Sequence, residues 1–192
     1  MNNRAIIIAE NRSDLIELIK GEINQYGNEC DLFHIDVSKL KNMSFVFNLG
    51  KEIRYFNGNI SNWDVSNVEN MDFMFMYSKF NGDISKWNVS NVISMKSTFT
   101  KSEFNQNIGS WNVSKVQDMN NMFSESIFKK NLTDWKPIEL KSKVDIFKIC
   151  PAIVPYWAEA ENTPAAVRSY WLNKDLESNL VDKKLKNNKI KV

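Results

Sequence analysis

ISNWDVSNV (residues 60–68), ISKWNVSNV (84–92) and IGSWNVSKV (108–116) are near-copies of one phrase set 24 residues apart. Each phrase opens a longer unit. Ile60, Trp63, Val65, Val68, Met71, Phe75 and Phe80 recur as Ile84, Trp87, Val89, Val92, Met95, Phe99 and Phe104. They recur again as Ile108, Trp111, Val113, Val116, Met119, Phe123 and Phe128. A fixed period of this size implies a stacked array, in which each unit buries its apolar face only against its neighbours.

Weaker copies flank the three. Upstream, Leu32, Ile35, Val37, Leu40, Met43 and Phe47 keep the spacing, and extra residues around LGKEIRY bulge from the frame before Phe56. Downstream, Leu132, Trp135, Leu140 and Phe147 keep it, with Pro137 in a valine slot. The apolar positions 1, 4 and 6 of each unit have leucine-rich-repeat spacing. Positions 4 and 6 alternate as a strand requires, and the later positions step by three and four as a helical or 3₁₀ turn does. The expected fold is therefore α/β: a right-handed leucine-rich-repeat solenoid of short parallel strands. Five repeats run over 31–148, after an N-terminal strand–helix cap (1–30) and before a helical cap with a basic tail (149–192).

The caps have their own signals. AIIIA (5–9) is a short apolar run suited to one added parallel strand. Asn11 or Ser13 is placed to cap a helix carrying Leu15, Ile16, Leu18, Ile19 and Ile23, which Gly27 and Asn28 stop. Thr163 followed by Pro164 starts a second helix. In a stack, Trp63, Trp87, Trp111 and Trp135 form a structural core ladder. Burial of each such side chain is worth roughly 1.5–3 kcal/mol.

The phrase FNGDISKWNVSNV, followed by MKSTFT, resembles the BspA-like leucine-rich repeat proteins of bacteria and some protists. Phe80, Asn81, Ile84, Trp87, Val89, Ser90, Asn91, Val92, Met95 and Phe99 carry the resemblance. It implies a solenoid that binds other macromolecules, often at a cell surface. Valine stands at Val68, Val92 and Val116 where the commonest leucine-rich pattern has asparagine.

Chemistry-bearing residues are sparse. His34 is the sole histidine, and Cys30 and Cys150 lie far apart, so no ligand-spaced metal set, nucleophile–histidine pair or disulfide framework is expected. No phosphate-binding glycine motif occurs. The expected class is a non-enzymatic binder with no cofactor, metal or small-molecule substrate. Its protein-binding sheet face would comprise His34, Asp36, Asn62, Asp64, Lys86, Asn88, Asn112 and Lys136.

Charge is uneven. Residues 1–128 hold 12 basic and 15 acidic side chains (−3), and residues 129–192 hold 13 and 8 (+5). Lys141, Lys143, Lys148, Lys183, Lys184 and Lys186, with Tyr156, Trp157, Tyr170 and Trp171 between them, form a candidate region for a partner or for RNA. Three readings stand. The first is a cytoplasmic protein-binding inhibitor, encoded by a phage or mobile element and blocking a host defence nuclease or ribonucleoprotein in the manner of an anti-CRISPR. The second is a nucleic-acid-associated protein. The third is a surface or adhesion protein whose leader is missing. No apolar run reaches the roughly 20 residues of a membrane span, and no secretory leader is read at the start.

Overall fold

The structure is a computed structural model; the residues described are 4–159 and 162–189, with side chains described as far as residue 180. At the N-terminus, helix α1 (Arg12–Tyr26) begins where Asn11 accepts a hydrogen bond from the Asp14 N–H at 3.0 Å. It ends at Gly27, whose φ of 83° is one that glycine adopts without steric cost. Its buried face is Leu15, Ile16, Ile19 and Ile23, with Leu18 half-buried beside them. Strand β1 (Ile7–Ile8) lies parallel to β2 (Ile35–Asp36), with Ile7 opposite Ile35. This places the N-terminal segment on the first unit of the array.

The leucine-rich-repeat solenoid expected from the spacing is not what forms. Among the described residues, β1 and β2 make the one sheet, two strands of two residues each. The α-helices are α1, α2 (Lys51–Arg54) and α3 (Pro164–Lys189), with a 3₁₀ turn at Tyr156–Ala158. None of them belongs to the 24-residue unit. The units instead stack as rungs built of turns, joined by single parallel bridges at Asn42–Asn70, Asn70–Ser94, Ser94–Asp118 and Asp118–Ser142.

The reason lies in where the backbone N–H groups go. Trp63, Trp87 and Trp111 each donate three residues back, to Ile60, Ile84 and Ile108, and Val68, Val92 and Val116 donate to Val65, Val89 and Val113. Those turn closures use the donors that a strand would give to its neighbour. In the later half of each rung, donors alternate. Met71, Phe73, Phe75 and Tyr77 give their N–H to Ser94, Lys96, Thr98 and Thr100 of the next rung, while Met74, Met76 and Ser78 donate three residues back within their own. Phe73, Ser97, Asn121 and Asp145 hold φ between 53° and 58°, and Tyr77, Lys101, Glu125 and Ile149 between 52° and 61°. A helix cannot contain such residues, so spacing by three and four here marks a chain of tight turns.

Aromatic rings fill the interior. Phe47, Phe75, Phe99, Phe123 and Phe147 form one column, with successive centroids 5.0, 5.5, 5.4 and 5.4 Å apart and rings within 8° of parallel. Phe56, Phe80, Phe104 and Phe128 form a second at 6.1 to 6.3 Å. Trp63, Trp87, Trp111 and Trp135 are buried, and each indole N–H donates to the first carbonyl of the preceding rung: Leu32, Ile60, Ile84 and Ile108, at 3.0 to 3.2 Å. Trp157 repeats the contact on Leu132 at 3.0 Å and stacks 5.8 Å from Trp135. The C-terminal segment thus begins as a sixth, partial rung. The four residues beyond the period between Phe47 and Phe56 form the single turn of α2.

Trp111→Ala should lower unfolding stability by about 3–5 kcal/mol in denaturant titration. Trp111→Phe, which keeps most of the ring but leaves the Ile84 carbonyl without its indole donor, should cost about 1–3 kcal/mol. Equal losses from the two changes would show that the indole hydrogen bond adds nothing to packing.

Candidate functional site

The residues expected to share a binding face are divided by the fold. His34 is 1% exposed: α1 covers it, and its Nε2 lies 3.1 Å from Glu22 Oε1. Glu22 also pairs with Arg4. His34 therefore belongs to the packing between cap and first rung and not to an outer face. Burial, and next the charge of Glu22, push the nearby Cys30 thiol up from its ordinary value. Asp64, Asn88 and Asn112 are exposed and in one column, with half-buried Asp36 at its head. Each turns its Oδ1 onto the N–H two residues on: Asp36 to Ser38 at 2.8 Å, Asp64 to Ser66 at 3.0 Å, Asn88 to Ser90 at 3.2 Å and Asn112 to Ser114 at 3.1 Å. They are turn-forming residues first. Asn62 reaches the Phe33 carbonyl at 3.4 Å, Lys86 is exposed, and Lys136 pairs with Asp175 at 2.7 Å.

Other asparagines tie rung to rung. Asn57, Asn81 and Asn105 accept through Oδ1 from the N–H groups of Asn81, Asn105 and Lys129, at 2.7 to 3.1 Å. Asn67 and Asn91 donate through Nδ2 to the Ser38 and Ser66 carbonyls, both at 2.8 Å. The repeated polar columns are thereby committed to internal bonds, and the uniform flank they make offers little that differs from rung to rung.

The basic region is also rearranged. Lys141 donates to Gln117 Oε1 at 2.8 Å, Lys143 to the Glu159 carbonyl, and Lys148 to Asp145 at 3.0 Å. The side chains of Lys183, Lys184 and Lys186 lie outside the described residues. Trp157 and Trp171 are 0% and 7% exposed, so neither is a platform for stacking a base. Lys141, Lys143 and Lys148 do line one feature, a cleft of about 690 Å³ whose far wall is Val154, Ala158, Asn162, Thr163 and Pro164.

A different cluster marks the break in the period. Tyr55 and Tyr77 are 53% and 41% exposed, and Leu49 is exposed as well. The Arg54 guanidinium sits 5.4 Å from the Tyr77 ring centroid and the Lys101 ammonium 5.5 Å from it. Asn48 fixes Arg54, accepting from Nε at 3.1 Å through both its carbonyl and Oδ1. The Lys79 N–H donates to the Arg54 carbonyl at 2.8 Å and holds the bulge to the next rung. The sequence carried the signal as the LGKEIRY irregularity, but periodicity alone could not say that its aromatic residues face outward.

Among the described residues, no group of three or more His, Cys, Asp or Glu is placed to hold a metal ion, and no helix is long and apolar enough to cross a membrane. A family model described as "Mycoplasma protein of unknown function, DUF285" matches residues 21–135, the span from α1 through the Trp135 rung. No curated protein and no solved structure matches the chain.

The aspartates of the turn columns predict an acid dependence. The Ser38 and Ser85 N–H groups, donating to Asp36 and Asp83, hold both carboxyls below the usual carboxylate range. A carboxyl depressed in the folded state stabilises fully above its unfolded pKa of about 3.9, and that contribution is lost as pH falls through the lower folded value. Unfolding midpoints should therefore drop as pH falls from about 5 to 3. The drop should be smaller in an Asp36→Asn/Asp83→Asn variant, which keeps the acceptor oxygen without the titration. Identical pH profiles for the two proteins would refute this account.

Proposed function

We propose that this chain, which belongs to the family described as Mycoplasma protein of unknown function, DUF285, is a non-enzymatic protein-binding module. The supporting observation is exposed Tyr77 with Arg54 set against its ring, and exposed Tyr55 next to Arg54 in the chain. Tyrosine and arginine dominate the energetics of protein interfaces, because they bring large contact area and directional donors at low entropic cost. A side chain held by Asn48 and laid on a ring loses less freedom on binding than a mobile one. The cluster also sits at the break in the period, where the surface stops repeating and a single partner orientation can be specified.

The resemblance of the 24-residue unit to BspA-like repeats supports the same class of function, since such stacks serve as rigid mounts for recognition. Action is steric in this reading: the partner is bound and a surface of it is covered. Block of a nuclease is its narrower form.

The test is affinity capture by the wild-type protein from a lysate of the source organism, compared with a Tyr55→Ala/Tyr77→Ala variant. Captured proteins are identified by mass spectrometry, and the affinity of each is then measured with purified protein. A partner bound by the wild type should lose at least about tenfold in affinity with the variant, equivalent to about 1.4 kcal/mol. Partners held equally by both proteins would remove this cluster from consideration, and no partner at all would overturn the binding reading.

A further inference from the structure

Each rung gives alternate backbone N–H groups to the next one, so the last rung must have donors left over. Asn121, Phe123 and Glu125 donate to the carbonyls of Val144, Ile146 and Lys148 at 2.7 to 2.8 Å. The counterparts of those donors one rung on are the N–H groups of Asp145, Phe147 and Ile149. Among the described residues, none of the three meets a backbone or side-chain acceptor. The opposite end of the ladder is partly covered. There the outward carbonyls of Ser44 and Asn48 accept from Arg12 Nη1 at 3.2 Å and Arg54 Nε at 3.1 Å. This arm of the stack is therefore polar, with an acceptor end partly covered by arginines and, among the described residues, an uncovered donor end.

The open donors run along the cleft bordered by Lys141, Lys143 and Lys148. The charged lining residues are those three lysines and Asp145, a net of +2. Apolar side chains stand out at the same end: Val144 is 63% exposed, Val154 45% and Ile149 77%. Ile149 holds φ at 52°, a conformation that is an outlier for a β-branched residue. A strained, exposed isoleucine beside unused backbone donors is a poor solvent surface and a good contact surface.

We propose that this end of the stack takes a peptide segment of a partner protein, acidic in character and laid along the cleft as the next rung. Its carbonyls accept from the N–H groups of Asp145, Phe147 and Ile149, its acidic side chains face the three lysines, and its apolar side chains cover Val144 and Ile149. This is the edge-addition mode of peptide recognition applied to a ladder of turns. Charge favours this occupant over a second copy docked end to end, whose acceptor end would bring Arg12 and Arg54 to a cleft that already carries a net +2. The surface is separate from the Tyr55–Tyr77 cluster and lies outside the residues matched by the family model.

The chain supplies its own probe. Residues 118–126, DMNNMFSES, form a rung arm already seen to accept from such donors, and carry Asp118 and Glu125 against no basic residue. A fluorescein-labelled synthetic peptide of that sequence should bind the full chain in an anisotropy titration. A peptide with lysine at both acidic positions should bind at least tenfold more weakly. Lys141→Glu/Lys148→Glu should weaken the acidic peptide at least tenfold, with an unchanged thermal midpoint confirming the fold. By amide hydrogen exchange on the wild-type protein, Asp145, Phe147 and Ile149 should slow on binding, a change that charge attraction alone would not produce. Tyr55→Ala/Tyr77→Ala should leave this binding unchanged, which separates it from the function proposed above. Equal affinity for both peptides, binding without protection of those three amides, or tighter binding of a single-stranded oligoadenylate would each overturn the proposal.

Discussion

The indole N–H of each tryptophan reaches back to the carbonyl that opens the preceding rung, and it does so five times, from Trp63 on Leu32 to Trp157 on Leu132. Each of those carbonyls also accepts a backbone N–H from three residues ahead, as Ile60 does from Trp63. One group thus closes the turn of its own rung and anchors the ring of the next. Rungs of turns have few of the long hydrogen-bonded ladders that hold a sheet. A buried donor that must find its acceptor supplies the registry that strand pairing would otherwise give. The stacked phenylalanines add apolar burial, but parallel rings tolerate sliding. The indole hydrogen bond does not, and it sets the shift of one rung on another.

This registry has a consequence for the surface. Once rungs are locked in phase, every equivalent position falls into a column, and polar columns spend their hydrogen-bonding capacity on the stack. The Asp64–Asn88–Asn112 column shapes turns, and the Asn57–Asn81–Asn105 column links backbone N–H to side-chain amide down the flank. Charged columns behave alike: Lys79–Glu103 and Lys101–Glu125 are ion pairs between neighbouring rungs, exposed and of small worth individually. In the binding reading proposed here, recognition comes from places where translation along the stack fails. Two such places are the α2 bulge with Tyr55 and Tyr77, and the C-terminal end of the column of rungs.

The repeat, its frame and its core residues were legible because identical apolar spacing in successive units allows only stacking. The shape of each unit was not. Trp63 and Val65 have the spacing of an alternating strand, yet the side chains decide against it. Asn59 and Asp64 turn their oxygens onto the N–H groups of Ser61 and Ser66, and so bend the chain before a strand can extend. Likewise Met71 and Phe75 are spaced as on a helix, while Phe73 between them sits at φ 58°. Periodicity records which side chains are inside and is blind to backbone handedness. The same blindness placed His34 outside: alternation after Leu32 gave it the wrong face, because the covering helix α1 comes from beyond the repeat.

What the fold adds to the sequence is direction. A string of similar units reads the same from either end in composition, but the hydrogen bonds of its Met71–Tyr77 arm do not: there the backbone donors point to the next rung and the carbonyls to the preceding one. The two ends therefore present opposite problems to water. At the acceptor end the Ser44 and Asn48 carbonyls are answered by arginines, whose guanidinium groups fit carbonyl oxygens well, and α1 packs into the core at the same end. A donor end calls for carboxylates or carbonyls, yet the residues placed there are chiefly lysine, valine and isoleucine, with Asp145 turned toward Lys148. Helix α3 departs after Val167, Tyr170 and Trp171 have packed, and its later turns show Leu172, Leu176 and Leu180 to solvent. Trp157, in the 3₁₀ turn, thus ends the tryptophan column on Trp135, while among the described residues the backbone edge beside it stays uncovered. A cap built only to end the stack would have covered both, and this asymmetry makes the C-terminal edge a place to look for contact with another chain.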